Sequence, residues 1–251
     1  MAKQSGFLKL EGTIGDVTFV KTQGGYLAKQ KTAISAKRIA SDPSFQRTRE
    51  NNAEFGRAGK AAKLLRNAVH SLLQTAKDKR VVGRLVKEMM VVLKADATSI
   101  RGQRNVVDGE AELLQGFDFN SNAPFNTIFF PAYAATIDRV AGTLSINIPA
   151  LVSDKDIAVP EGTMHFAIVS AGAEIDFENN QYTEASTTSA VLPWGGSAAG
   201  PISLSNAVTP NSTHPLFQLL GVQFYQQVNG INYTLKNGAF NPLNIVKVSG
   251  I

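Results

Sequence analysis

The apolar residues of this chain pass from a helical to a strand period near Asn105, and that change limits the fold more than any other feature. Phe55, Ala58, Ala62, Leu65, Val69 and Leu72 recur every three or four positions, as do Val82, Leu85, Val86, Met89 and Leu93. That spacing places each set on one face of a helix. Beyond Asn105 the apolar residues alternate or run in short blocks. Ala141-Gly142, Pro160-Glu161-Gly162, Asn179-Asn180, Gly195-Gly196, Asn229-Gly230 and Asn237-Gly238 divide those blocks, and such pairs are turn formers.

The first region predicts a helix over about 44–76 and another over about 79–94, linked closely enough at 76–78 to pair as an antiparallel hairpin. Ser41 or Ser44 serves as a cap and Pro43 suits the first turn. The second region predicts strands at 126–130, 134–140, 142–148, 164–170, 188–192, 216–227, 231–235 and 244–248. Short strands with turns at this spacing imply an antiparallel β-sandwich of the immunoglobulin-like type. VQFYQQVNGINYTL is the strongest hairpin signal, because Asn-Gly is the preferred type I′ loop between alternating strands.

Residues 6–32 form a third pattern. GFLKLEG, DVTFVKT and GYLAKQKT are rich in β-formers; Gly12 and Gly15 flank one turn and Gly24-Gly25 make the next. A meander this short buries little by itself. Its open edges invite pairing with another chain. The expected fold is therefore α+β: a meander and helical hairpin in 1–104, a linker at 105–116 in which Asp108 caps a short turn, and a sandwich in 117–251.

Charge follows the same division. Residues 1–104 hold 21 Lys/Arg against 8 Asp/Glu, and residues 105–251 hold 4 against 12. Head-to-tail contacts between copies are then electrostatically favourable and weakened by salt.

Little in the sequence points to catalysis. The chain has no cysteine, so disulfides, thiolate nucleophiles and Cys-ligated metals are excluded together. His70, His165 and His214 are far apart, and none has a metal-type partner at i+2 to i+4. GRAGKAAK lacks the spacing and the Ser/Thr of a phosphate loop and falls within a helix pattern. Ser197 in WGGSAAG has the wrong glycine spacing for a nucleophile elbow. Asp154, Asp156 and Glu161 lack the spacing of a calcium loop, and the sequons at Asn211 and Asn232 have no signal peptide to accompany them. No cofactor or metal is expected, nor is enzymatic activity. There is no apolar run of membrane-spanning length and no secretory signal, which implies synthesis in the cytoplasm and no membrane span.

The residues that stand out are basic and lie around the meander. Lys21, Lys29, Lys31, Lys37, Arg38, Arg47 and Arg49, with Gly24, Gly25 and Tyr26, are read as an interface for copies of this chain or for other proteins of the same assembly. Two alternatives remain open: a nucleic-acid contact through the same basic stretch, disfavoured by the scarcity of nearby aromatics, and a binding module whose sandwich loops hold a carbohydrate or protein ligand.

The pattern G-x-x-G-x-x-x-F-x-x-x-x-G-G from Gly12 to Gly25, then Lys29-x-Lys31, Asp42-Pro43 and Gln46-Arg47-x-Arg49 before a long helix, resembles the opening of a set of poorly characterised proteins of Bacteroidota and their phages. Those show a glycine-punctuated hairpin, a basic pair, an N-P-x-T-x-x-Q-x-x-x-R segment and a helix. Asp42-Pro43-Ser44-Phe45-Gln46 departs from that segment. GVQFYQQVNGINYTLKNGAFNPLNIVKV resembles the closing strands of the same proteins. The resemblance implies a structural component of a phage particle or phage-tail-like device, ending in a virion or extracellular particle, with no catalytic residues to carry over.

Overall fold

The computed structural model describes residues 1–31, 34–76, 78–107, 109–196 and 198–250. Four residues singled out above, Thr32 at the end of the meander, Lys77 between the helices, the cap Asp108 and Ser197, lie outside the described residues. Two compact units divide the chain, Met1–Asn51 and Asn52–Ile251.

The first unit holds β1 (Ala2–Lys3), β2 (Gly12–Ile14), β3 (Val17–Thr22), β4 (Gly25–Gln30) and α1 (Ala36–Ser41), and α2 (Gln46–Ala68) runs from it into the second. The second unit continues with α3 (His70–Leu73), α4 (Val81–Lys94), β5 (Ala134–Asp138), β6 (Thr143–Ile148), β7 (Leu151–Val152) and α5 (Ser153–Asp156). Then follow β8 (His165–Asp176), β9 (Gln181–Thr188), β10 (Leu192–Pro193), β11 (Ala198–Ala199), β12 (Ile202–Ala207), β13 (Leu216–Val228), β14 (Ile231–Thr234) and β15 (Leu243–Ser249). The fold is mixed α and β, with N-terminal strands, helices and antiparallel C-terminal sheets.

The second unit is organised around β8 and β13, paired antiparallel from Leu216↔Glu174 to Tyr225↔His165. β9 and β10 flank β8; β14 and β15 flank β13. One face of this sheet presents Val169, Ala171, Ala173, Ile175, Phe217, Leu219 and Ile245 to Ala58, Leu65, Leu85, Met89 and Leu93 of the helices. The other presents Phe166, Ile168, Leu220, Val222 and Phe224 to Ile146, Ile148 and Leu204 of a smaller sheet ordered β12-β6-β5. Strands buried on both faces need apolar residues at nearly every position, which is why HFAIVSAGAEID and LFQLLGV do not alternate. The larger sheet curls round the smaller. Thr187 Oγ1 donates to the Ser205 carbonyl at 2.9 Å at one margin, and Lys247 Nζ to the Ala135 carbonyl at 3.0 Å at the other.

This packing puts the unit boundary at Asn51/Asn52, whereas the change of period and charge suggests 105–116. The helices from Asn52 to Lys94 share a core with the strands, so neither buries its apolar face without the other. The charge reversal consequently lies inside one unit: Asn52–Ile251 carries 16 Lys/Arg and 16 Asp/Glu, and Met1–Asn51 carries 9 against 4. All of the net charge of +5 belongs to the small N-terminal unit.

Several elements differ from expectation. The segment expected as a strand at 126–130 is a 3-10 turn at Phe125–Thr127, with one isolated bridge, Phe129↔Ile157. Phe125 and Phe129 are both buried, four residues apart, with ring centroids at 5.2 Å; that is helical spacing. The long helix breaks at Val69 after Ala68. Phe55 and Val82, assigned to inward stripes, are exposed. β12 and most of β9 were not expected, because ISLSNA and QYTEASTT bury few side chains and carry little apolar signal.

A polar joint ties the start of α4 to the chain that follows it. Asp78 accepts hydrogen bonds from Arg80 N at 2.6 Å, Ser121 N at 2.8 Å and Arg84 Nη2 at 2.5 Å. The Arg84 guanidinium also donates to the Asp118 and Phe119 carbonyls and lies 5.0 Å over the Phe117 ring. Burial alone raises the Asp78 pKa, but the bonds from Ser121, Arg80 and Arg84 outweigh it and hold the carboxyl down at about 2.

Two predictions follow from this packing. A chain truncated to 105–251 should bind a hydrophobic dye and unfold without a cooperative transition, because it leaves the helix-facing side of β8 and β13 bare; a chain of 52–251 should unfold in one sharp step. Asp78 is depressed in the folded state, so its stabilisation is complete above the unfolded value near 4 and lost as pH falls towards 2. Denaturant midpoints measured from pH 5 to pH 2 should fall, and Asp78→Asn should flatten that part of the profile.

Candidate assembly interface

The N-terminal unit is a four-stranded sheet ordered β1-β4-β3-β2. Its register is fixed by Phe19↔Ala28, Lys21↔Tyr26, Ile14↔Val17 and Ala2↔Ala28. Because side chains alternate, that register puts Ala2, Ile14, Val17, Phe19, Tyr26 and Ala28 on one face, with Lys21 and Gln30 at its end. Lys3, Thr13, Thr18, Val20, Leu27 and Lys29 fall on the other. The first face is the more apolar of the two, yet no described residue of Met1–Asn51 is buried. Ile14 is 65% exposed, and Val17 is exposed as well.

The turns agree with their glycines. Gly15 has φ +56 at the first central position of the β2–β3 loop, where a type II′ turn takes glycine. Gly25 has φ +110, while Gly24 beside it is not in the left-handed region. The expected strand GFLKLEG is not one. β1 and β2 lie at opposite edges of the sheet, so the chain between them must cross three interstrand gaps of about 4.8 Å each. Gln4 holds this crossing: its Oε1 accepts from Leu10 N at 2.8 Å, and its backbone N donates to the Tyr26 carbonyl at 2.9 Å. Phe7, within the crossing, is 100% exposed.

The basic residues fall into two groups. Lys21, Lys29, Lys31 and Lys37 are exposed, with Lys21 Nζ 5.7 Å from the Tyr26 ring centroid. The arginines are committed to the corner between α1 and α2. Ser35 Oγ caps α1 by accepting from Arg38 N at 3.2 Å. Asp42 accepts from Ser44 N, Ser44 Oγ and Arg38 Nε at 3.0, 2.7 and 3.1 Å, and these bonds lower its pKa, with Ser44 the main cause. Pro43 opens the 3-10 turn that leads into α2. Arg38 lies 5.8 Å from the Phe45 ring centroid, Arg47 pairs with Glu50 at 2.9 Å, and Arg49 Nη1 donates to the Ile39 and Asp42 carbonyls. The Asp-Pro-Ser-Phe-Gln-Arg-x-Arg run is thus a self-contained corner.

The second unit carries its own exposed apolar region, which sequence reasoning missed. β13 extends past the sheet and returns as β14 through Asn229 (φ 51) and Gly230 (φ 79), the expected type I′ loop. Every residue of β14 is exposed. Val228, Ile231 and Tyr233 share one face of this arm by register; Ile231 is 57% and Tyr233 54% exposed. Across the arm's base, Trp194 N donates to the Met164 carbonyl and Met164 N to the Tyr225 carbonyl, both at 2.9 Å, and Trp194 and Met164 are exposed. The loops here are short of cations: Asp154, Asp156 and Glu161 stand with Lys155 in 153–164, and neither 191–196 nor 225–235 has a charged residue. Asp156 Oδ2 accepts from Val152 N at 2.7 Å, and Ser153 Oγ accepts from Gly195 N at 3.1 Å. The available signal was the fourteen-residue hairpin sequence without a single charge, which reads equally well as core.

Among the described residues, no group of three or more His, Asp or Glu side chains is placed to hold a metal ion, and no helix is long and apolar enough to cross a membrane. His70 is near Gln74, His214 is 3.8 Å from Asp176, and His165 pairs with Tyr225 in the sheet, so the three histidines do not converge. Comparisons with protein-family models, curated proteins and solved structures find no match to the chain.

Since the N-terminal sheet has no core of its own, its turns should govern its stability. Gly25→Val forces a β-branched residue into φ +110, at a cost of about 1–3 kcal/mol. Hydrogen exchange across β3 and β4 should speed up, with the melting of the second unit unchanged. Gly24→Ala should leave both as they are.

Proposed function

We propose that this chain is a non-catalytic structural subunit of a multimeric assembly, a component of a phage virion or phage-tail-like particle, in which the N-terminal unit is covered by a neighbouring protein. The observation that carries the reading is a four-stranded sheet with Ile14, Val17, Phe19, Tyr26 and Ala28 on one face and no buried residue among those described. Sheets are stable in water when an apolar face is packed against something, and a unit of some fifty residues has little burial to spare. A neighbour that covers Ile14, Val17, Phe19 and Tyr26 would supply what the sheet lacks. The resemblance of the Gly12–Gly25 pattern to phage-associated proteins supports the same class of assembly.

The second unit fits the role of a rigid body. Two antiparallel sheets closing over Phe166, Leu220, Phe224, Ile146 and Leu204 support a reading of its β portion as an immunoglobulin-like sandwich, here with helices over the face that such sandwiches leave to solvent. A nucleic-acid role has less support, because Arg38, Arg47 and Arg49 are already bonded within their own unit.

The test compares the full chain with a chain beginning at Asn52, by light scattering and electron microscopy. The full chain should form large regular particles at micromolar concentration. The shortened chain should stay monomeric with its β-type circular dichroism intact. Monomers in both samples, or the same particles in both, would overturn the reading.

A further inference from the structure

We infer that the partner of the N-terminal sheet is the arm end of the second unit in another copy of the same chain. This rests on the assembly reading above and names the surface it uses. Among the described residues, two apolar surfaces open to solvent lie on strands with a free edge, and they belong to different units. The first is the Ile14–Val17–Phe19–Tyr26 face; the second is the Val228–Ile231–Tyr233 arm with Met164 and Trp194 at its base.

Charge distinguishes this pairing from each surface pairing with itself. The N-terminal unit carries 9 Lys/Arg against 4 Asp/Glu. Around the arm, residues 153–164 hold Asp154, Asp156 and Glu161 against Lys155, Lys236 follows Leu235 in the sequence, and Asp154 and Glu161 are exposed. Glu161 lies by the arm's base, since a Cβ added at the next residue, Gly162, would stand 3.7 Å from the Leu235 side chain that follows β14. A net-basic unit on one side and acidic loops at the arm's base on the other favour the mixed contact, whereas sheet-on-sheet pairing would bring two +5 units together. An open strand edge is also available on each side, β2 in the sheet and β14 in the arm, so that main-chain pairing can add to side-chain burial.

Such a contact is heterologous: each copy offers a sheet to one neighbour and an arm to the next. Contacts of this kind generate rings where the rotation closes and filaments where it does not. The subunit thereby needs no second protein to propagate.

The absence of native cysteine allows a direct test by disulfide trapping in the full chain. Single variants Ile14→Cys and Ile231→Cys are prepared reduced, mixed and oxidised, then run on a non-reducing gel. The mixture should give a covalent dimer at least tenfold above either variant alone. The double variant Ile14→Cys with Ile231→Cys should give a ladder of oligomers at micromolar concentration. A dimer formed by Ile14→Cys alone would overturn the inference in favour of sheet-on-sheet pairing, with the assembly reading intact. A double variant that closes only on itself, as a monomer at every concentration, would overturn it as an intrachain contact. Particles by light scattering without any of these cross-links would place the interface elsewhere and also overturn it. A solution free of both particles and cross-links would remove the assembly reading itself.

Discussion

The pairing of β8 with β13 is the interaction on which the remainder of the second unit depends. Ten residue pairs in continuous register make one ladder, and both of its faces are buried. The helices on one side and the smaller sheet on the other do not touch water through it, so each layer is stabilised by the same two strands. Full burial of a large apolar side chain contributes about 1.5–3 kcal/mol, and Phe166, Phe217, Phe224, Leu65, Leu85 and Met89 are all fully buried around this ladder. Gly221 shows how closely it is packed. A Cβ there would stand 2.6 Å from the Pro242 carbonyl oxygen and 3.2 Å from a Val169 methyl.

The N-terminal unit obeys the opposite rule. It has regular strands, well-formed turns and a helix corner tied by Asp42, Arg38 and Arg49, yet none of its described residues is buried. Hydrogen bonds define its shape without supplying the apolar burial that holds a sheet together in water. On the assembly reading, a neighbouring surface supplies that burial. Concentrating the whole net charge of the chain in this unit keeps isolated copies apart and favours approach to an acidic surface.

Legibility in the sequence followed burial. β13, β14 and β15 were readable because their apolar runs and the Asn229-Gly230 turn are local signals, and the inward residues of α2 and α4 were readable from a 3.6 period. β12 and β9 were not, since Asn206, Thr187 and their neighbours carry polar side chains that pair across strands instead of packing. The boundary at Asn51/Asn52 was hidden for a different reason. Helical and strand periods look like separate domains in a sequence, and only the shared cluster of Leu85, Met89, Ala171 and Leu219 makes them one. For the interface, Lys21, Lys29, Lys31 and Lys37 stood out by charge and are indeed exposed. The apolar residues that share a sheet face depended on strand register, and the role of Arg38, Arg47 and Arg49 in a local corner depended on carbonyl positions that sequence does not specify.

Hydrogen exchange of β3 and β4 measured against protein concentration tests the central claim most directly, because local opening reports what covers a segment. The account predicts that these amides are weakly protected in dilute solution and gain at least tenfold protection over the concentration range in which particles appear, while β8 and β13 remain protected throughout. Protection of β3 and β4 that is already complete in the monomer and unchanged by concentration would contradict it.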